Sequence, residues 1–309
     1  MLFGLLAQGW WDRETCPYCR EEERNGRHLS HAYISAGHTA LIHHILPSFS
    51  SMEITSITPL VIDEWKYALR EQKGLSFKSC NNYLATLRIM FGYWWRHGVI
   101  DADPCAKVRN MAPNCRERGI LTEKETAELF LSDDVWDSET ARLASLTAAC
   151  TGMRMGEIQA LTVDDVIDDT IVVSHSWDED AGLKDTKTHS VRVVPIPHKL
   201  ADELRSRQEG FIFSGDNPCK PVYRSAILDG LRRALVGIGI SRDEQKERNI
   251  CFHSFRHYLN TQLRKGGVPD AVTQKVTGHA TREMTERYSH LDGSDLDGIL
   301  KITKTILGG

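Results

Sequence analysis

Apolar positions in the first hundred residues recur at the helical period. Val61, Ile62, Trp65 and Leu69 follow Thr58-Pro59, a capping hydroxyl and then a proline whose missing N–H costs nothing at a helix start. Lys73-Gly74 ends that pattern. From Ser76 to His97-Gly98 a second run places Phe77, Cys80, Leu84, Leu87, Phe91 and Trp94 on one face, opposite Lys78, Ser79, Asn82 and Thr86. Ile42, Ile45 and Leu46 predict another helix, closed by Pro47. Trp10, Trp11, Tyr18 and the aromatics of Phe91–Trp95 are expected in the core. Asp101–Arg118, with Pro104 and Pro113 and little period, reads as the exit from this helical region. Thr122-Glu123-Lys124-Glu125 then has the form of a capping box.

The second half mixes periods. Glu139–Cys150 and the short Glu157–Leu161 read as helices. Thr170–His175 and Val191–Ile196 are β-rich, joined by the polar segment Ser176–Ser190, and predict two strands of a small antiparallel sheet. Phe211–Phe213 is a candidate third strand. Beyond Pro221 the pattern is helical, broken at Gly237–Ser241, Gly266-Gly267, Gly278 and Asp292-Gly293. The fold class expected is mainly α with a small antiparallel sheet. Residues 1–112 form a helical domain and 113–309 a mixed α/β domain.

Length and composition allow two cores. The chain has 309 residues, 41% apolar and 26% charged, enough for two domains of ordinary size. No apolar stretch is long enough to span a bilayer, and Met1–Ala7 lacks the basic flank of a signal peptide. The cysteines (16, 19, 80, 105, 115, 150, 219 and 251) are scattered, which fits a reducing cytoplasm better than a disulfide framework. Cys16 and Cys19 with His28 and His31 have gaps too short for the usual zinc spacing, so no metal is expected.

The net charge of −4 argues mildly against a nucleic-acid partner, but its distribution does not. Acid is bunched at Asp164-Asp165, Asp168-Asp169 and Asp178-Glu179-Asp180. Base is bunched at Arg116/Arg118, Lys184/Lys187/Arg192 and Arg224/Arg232/Arg233. Such segregation leaves room for a basic cleft on an acidic molecule.

Five segments of the second half carry candidate chemistry: Thr151–Glu157 around Arg154, Thr186-Lys187-Thr188, His253–His257 with Arg256, Thr277-Gly278-His279, and Arg287-Tyr288-Ser289-His290. Each alone has an ordinary reading. Arg154 can pair with Glu157, Lys187 can be a solvated lysine, and His253 with Arg256 can be a structural pair. His279 can cap a helix and Tyr288 can sit half-buried. Together they hold what phosphoryl transfer without a metal needs. Two guanidiniums can clamp a phosphodiester and oppose the charge of its transition state. A phenol, with its high pKa, needs a base and a positive neighbourhood to act as nucleophile. A lysine or histidine can protonate the leaving alkoxide. No carboxylate cluster suited to magnesium and no Walker A pattern accompanies them.

The order Arg, Lys, His-x-x-Arg, Gly-His, Tyr resembles the tyrosine recombinase (phage integrase) family. The local context matches as well: Thr-Gly-x-Arg-x-Gly-Glu at Arg154, Thr-Lys-Thr-x-Ser-x-Arg-x-Val-Pro from Thr186 to Pro195, and a tyrosine nine residues beyond His279. The resemblance covers the second domain. It reaches into the first, where Leu75–Arg88 and the turn Gly98-Val99-Ile100 are similar to the family's core-binding domain. Thr277 departs from the leucine usual before Gly-His, which implies a packing change there.

The resemblance implies a site-specific recombinase or integrase that cleaves and rejoins DNA through a 3′-phosphotyrosine, with no cofactor. Arg154 and Arg256 would bind the scissile phosphate and Lys187 would protonate the leaving 5′-oxygen. His253 would assist proton transfer with Tyr288, the nucleophile, and His279 would hydrogen-bond a phosphate oxygen. Lys78 and Asn82 would contact DNA from the first domain. The implied partners are double-stranded DNA with an inverted-repeat core site, a homotetramer on synapsed DNA, and an excision or host accessory factor. The C-terminal stripe Leu296, Ile299, Leu300, Thr303, Ile306 and Leu307 would dock on the next protomer, or else pack in cis. The setting implied is the cytoplasm or nucleoid of a bacterial cell, from a phage or mobile element. The family's separate arm-site DNA-binding domain is not expected within residues 1–309. Two rivals remain at this point, a monomeric relaxing topoisomerase and a non-catalytic DNA-binding protein on the same scaffold.

Overall fold

A computed structural model of the chain describes residues 1–112, 119–132, 134–185, 191–207, 209–278 and 293–306, with side chains in the last stretch from 297 onward. It divides into two compact units, Met1–Cys115 and Arg116–Gly309.

The first unit is helical. Helix Pro59–Glu71 opens where the Thr58 hydroxyl accepts from Val61 N, and helix Phe77–Arg96 opens where Ser76 Oγ accepts from Ser79 N. Cys80, Leu84, Leu87, Met90, Phe91 and Trp94 are buried along the longer helix, and Phe3 and Trp10 pack edge-on to Trp94. Trp11 lies on Gly37, where a Cβ would come within 2.2 Å of the indole, so only glycine fits beneath it. Two expectations fail on the long helix. Thr86 is buried, its hydroxyl donating to the Asn82 carbonyl at 3.2 Å, while Trp95 is 52% exposed.

Pro47 does not close its helix. The chain stays helical from His31 to Phe49, passing through a π-turn at Leu41–Ile45. Proline cannot donate to the carbonyl four residues back. The wider turn absorbs the mismatch, Lys73 Nζ donates to the His43 carbonyl at 3.4 Å, and Trp65 Nε1 donates to that of His44 at 2.9 Å. The exit segment is held just as firmly. Arg88 donates to the Val108 carbonyl and Asn110 Oδ1, Lys66 to the Arg109 carbonyl, and the Asn81 amide exchanges two bonds with the Met111 backbone.

The second unit is built around helix Glu139–Thr151, buried from Leu143 to its end. Helices Arg224–Gly237 and Ser254–Lys265 pack on it. Gly230 permits the first of these, because a Cβ there would lie 2.4 Å from that of Ala141. The capping box forms: Thr122 Oγ1 accepts from Glu125 N, and Glu125 Oε2 accepts from Thr122 N.

Strands Thr170–Val173 and Arg192–Pro195 pair antiparallel with Thr170 opposite Pro195, and Val166–Ile167 adds an edge. The polar connection is not a plain loop. It holds a hairpin, His175–Asp178 with Gly182–Asp185, turned by Gly182 at φ +75° and by Asp178 accepting from the amides of Asp180 and Ala181. Phe211 makes a single bridge to Thr162 in place of a third strand.

The last helix, Gly293–Ile306, lies on its own unit. Ile299, Thr303 and Ile306 are buried there, against Ser254–Lys265 among others. In the single chain these three residues of the stripe are therefore covered in cis; Leu296 and Leu307 lie outside the described side chains. No helix among the described residues is long and apolar enough to cross a membrane.

Candidate active site

Glycine shapes the entrance to the site. Helix Glu139–Thr151 ends at Gly152, φ +64°, whose amide donates to the Ala148 carbonyl. A Cβ there would also lie 3.0 Å from the Thr277 methyl, so conformation and space both ask for glycine. Thr277 itself is buried, with its hydroxyl donating to the Thr273 carbonyl at 2.8 Å. The residue that departs from the family pattern thus packs its methyl against Gly152 and satisfies its polar atom within its own helix.

Two residues on, Arg154 stands at the start of the short helix Met155–Gln159. Glu157, one turn later, accepts from Arg154 N at 3.0 Å and from Arg154 Nη1 at 2.8 Å. Arg154 Nη2 donates to the Gly278 carbonyl at 3.1 Å. The guanidinium is thus aimed from two sides while its side chain stays 28% exposed. The pairing with Glu157 and a role in binding do not compete, because the carboxylate holds the cation in place.

Arg256 approaches from helix Ser254–Lys265. It is 1% exposed, and Nη1 donates to the Gly152 carbonyl at 2.9 Å. His253, the N-cap residue of that helix, is half-buried with its ring edge-on to His257 at 5.2 Å. A third arginine completes the cluster. Arg192, at the head of strand Arg192–Pro195, donates from Nη2 to Glu157 Oε2 at 2.6 Å and from Nε to the Val276 carbonyl at 3.1 Å.

Two guanidiniums therefore bond one carboxylate, and Arg256 lies near enough to feel its charge. Burial opposes the Glu157 charge, but the bonds from Arg192 and Arg154 outweigh it and hold its pKa below the usual range. Arg256 responds in the opposite sense. Burial first, then the neighbouring Arg154 and Arg192 charges, lower it to about 9 against the partial relief from Glu157.

Of the site residues expected from the sequence, the structure brings Arg154 and Arg256 together and sets His253 one turn before Arg256. Lys187, His279 and Tyr288 lie outside the described residues. Lys78 and Asn82 are both exposed on one face of helix Phe77–Arg96 in the first unit. The sequence reading missed Arg192 as a member of the cluster. Its signal was the strand alternation, which turns residue 192 inward with buried Val194.

Residues 120–294 match the model of the phage integrase family. The chain belongs to that family. It is a tyrosine-type site-specific recombinase, an enzyme acting on DNA. This integrase-family chain is 24% identical to the tyrosine recombinase of Thermosipho africanus over 72% of its own length and 75% of that protein. Its fold is similar to that of the Tn1549 transposon integrase solved with transposon right-end DNA, at TM-score 0.71 and 19% identity over 96% of this chain and 98% of that one. It is also similar to lambda integrase, solved as a tetramer bound to a Holliday junction, at TM-score 0.67 and 17% identity over 89% of this chain and 79% of that one.

Proposed function

We propose that this recombinase cleaves and rejoins DNA through a 3′-phosphotyrosine at Tyr288. The observation that carries the reading is the pair Arg154 and Arg256, set around Gly152 and Gly278 in a cluster that, among the described residues, holds three guanidiniums and the Glu157 carboxylate. A phosphodiester entering it meets two forked donors already oriented, one fixed by Glu157 and one by the Gly152 carbonyl. Donors fixed beforehand stabilise the charge that builds on the non-bridging oxygens without reorganising. The Tyr288 oxygen attacks phosphorus and the P–O5′ bond breaks. The phenolic proton leaves with help from His253, and Lys187 protonates the departing 5′-oxygen. His279 donates to a non-bridging oxygen. The energy of the phosphodiester is kept in the phosphotyrosine, so a 5′-hydroxyl can reverse the step without ATP.

In this reading residues 1–112 form the core-binding domain and 113–309 the catalytic domain. Lys78 and Asn82 touch the duplex from the first. Exchange of two duplexes needs four cleavages, and lambda integrase has been solved as a tetramer on a Holliday junction; a homotetramer on inverted-repeat core sites fits both. The protein then works in the cytoplasm or nucleoid, with an accessory factor setting direction.

The test is a suicide half-site duplex resolved by denaturing electrophoresis. The wild type traps a covalent adduct. Tyr288→Phe binds the duplex and traps none, and Arg154→Ala or Arg256→Ala traps it at least about 10²-fold more slowly, the scale for losing one fixed transition-state donor. An adduct formed by Tyr288→Phe at the wild-type rate would sink the assignment. Complete absence of adduct from the wild type would leave the non-catalytic reading.

A further inference from the structure

Arg192 is held from two sides in the cluster, and the mechanism above gives it no part. Its side chain is 6% exposed and that of Glu157 1%. It bonds Glu157 on one side and the Val276 carbonyl on the other. Its guanidinium also lies flat against Gly278, where a Cβ would fall 3.3 Å from Nη1 and 3.4 Å from Cζ. Gly278 caps helix Asp270–Thr277 in the left-handed region at φ +70°. A side chain there would be strained by the backbone and crowded by Arg192. Nη1 is buried and has no hydrogen-bond partner among the described residues.

One side chain thus ties together three elements distant in sequence: the short Arg154 helix through Glu157, strand Arg192–Pro195, and the end of helix Asp270–Thr277. The Gly278 peptide is held twice, by Arg192 against its Cα and by Arg154 at its carbonyl. Glu157 is shared between the two arginines, so its orientation depends on both. A lysine could keep the charge but not the planar fork that reaches Glu157 and the Val276 carbonyl at once.

We infer that Arg192 is a positioning residue for strand cleavage: it fixes Glu157, and through it the Arg154 guanidinium, while setting the Gly278 turn that precedes His279. The inference rests on the cleavage reading above. It assigns Arg192 no contact with DNA.

The test uses the full chain and the suicide half-site. Arg192→Lys and Arg192→Met are compared with wild type for thermal unfolding, half-site affinity and single-turnover adduct formation. Both are expected to bind the half-site within about threefold of wild type and to form adduct about 10²-fold more slowly, a loss confined to the chemical step. Arg192→Lys is then added to Arg154→Ala. If Arg192 acts through Arg154, the second change slows the residual cleavage less than about threefold further, because coupled residues do not lose independently. Single variants that cleave within about threefold of wild type, losses that multiply in the double variant, or losses of binding that match those of cleavage each overturn the inference. If Arg192→Met fails to fold, Arg192→Lys decides; failure of both assigns the residue to the scaffold and overturns it too. A wild type that forms no adduct refutes the cleavage reading, and this inference falls with it.

Discussion

Arg256 is a buried cation whose charge is opposed by burial and by its arginine neighbours. Its charge is buried beside Arg154 and Arg192, and its lowered pKa, about 9, still leaves it protonated at neutral pH. The sign follows from linkage. A cation whose folded pKa is depressed weakens the fold while it stays charged, and the weakening is relieved only as the pH rises through about 9. An anion relieves it at any pH. Inorganic phosphate or vanadate is therefore expected to raise the unfolding temperature of the wild type at pH 7, as a ligand of the native state alone does. Arg256→Ala should lose most of that rise; an equal rise in the variant would place the anion elsewhere. Arg154 and Arg256, which the structure brings together, were legible in the sequence because each sits in a short distinctive context, Thr-Gly-x-Arg and His-x-x-Arg. Arg192 was harder to find. It carries structural charge on the inner side of a strand, where alternation marks the direction but not the partner. Glu157 was visible as the mate of Arg154 but not as the carboxylate shared by two arginines.

At the scale of elements, local signals succeeded where a helix end depends on its own few residues. Thr58 and Thr122 cap as their sequences predict, and the helix expected to begin near Ser76 does so. Pro47 misled because its lost hydrogen bond is made good from far along the chain, by Lys73 and Trp65. The hairpin between the paired strands was missed because its residues are polar and half-exposed, with no apolar alternation to betray them. The capping box at Thr122 has a tertiary addition. Arg248 donates to both Glu125 oxygens, at 2.7 and 2.9 Å, and also to Glu244. The bond from Arg248, more than the burial that opposes it, lowers the Glu125 pKa from 4.5 to about 2. A carboxyl depressed in the folded state contributes stability that is complete above its unfolded value and is lost as the pH falls through the folded one. Glu125→Gln should therefore cost about 1–2 kcal/mol at pH 7, the sum of a cap and a partly exposed ion pair. The gap from wild type should narrow between pH 4.5 and about 2. Urea unfolding across that range measures it, and a gap that stays constant would remove the ion pair from the account.

For the whole molecule, the C-terminal helix is the element that a single chain and an assembly could use differently. A helix as short as Gly293–Ile306 is marginal in water unless it buries a face. In the single chain that face is buried in cis: Ile299 is fully buried, Ile306 nearly so, and both belong to the same apolar cluster as the central helix Glu139–Thr151. Docking on a neighbour would have to expose these side chains first, so an exchanged helix must recover on the partner what it gives up at home. The two arrangements predict different consequences for one substitution. With the helix in cis, Ile299→Ala leaves a cavity in the second unit and should cost about 2–4 kcal/mol, the range for a large-to-small change in a packed core. The unfolding temperature of the free protein then falls, while one folded molecule still fills a half-site normally. With the helix docked in trans, the free protein keeps its unfolding temperature, and the loss appears only in cooperative filling of the second half-site. We expect the first pattern for the free chain, because the buried atoms belong to its own core. Measuring both quantities on the one variant separates them, and an unchanged unfolding temperature would show that the helix leaves its own unit in solution.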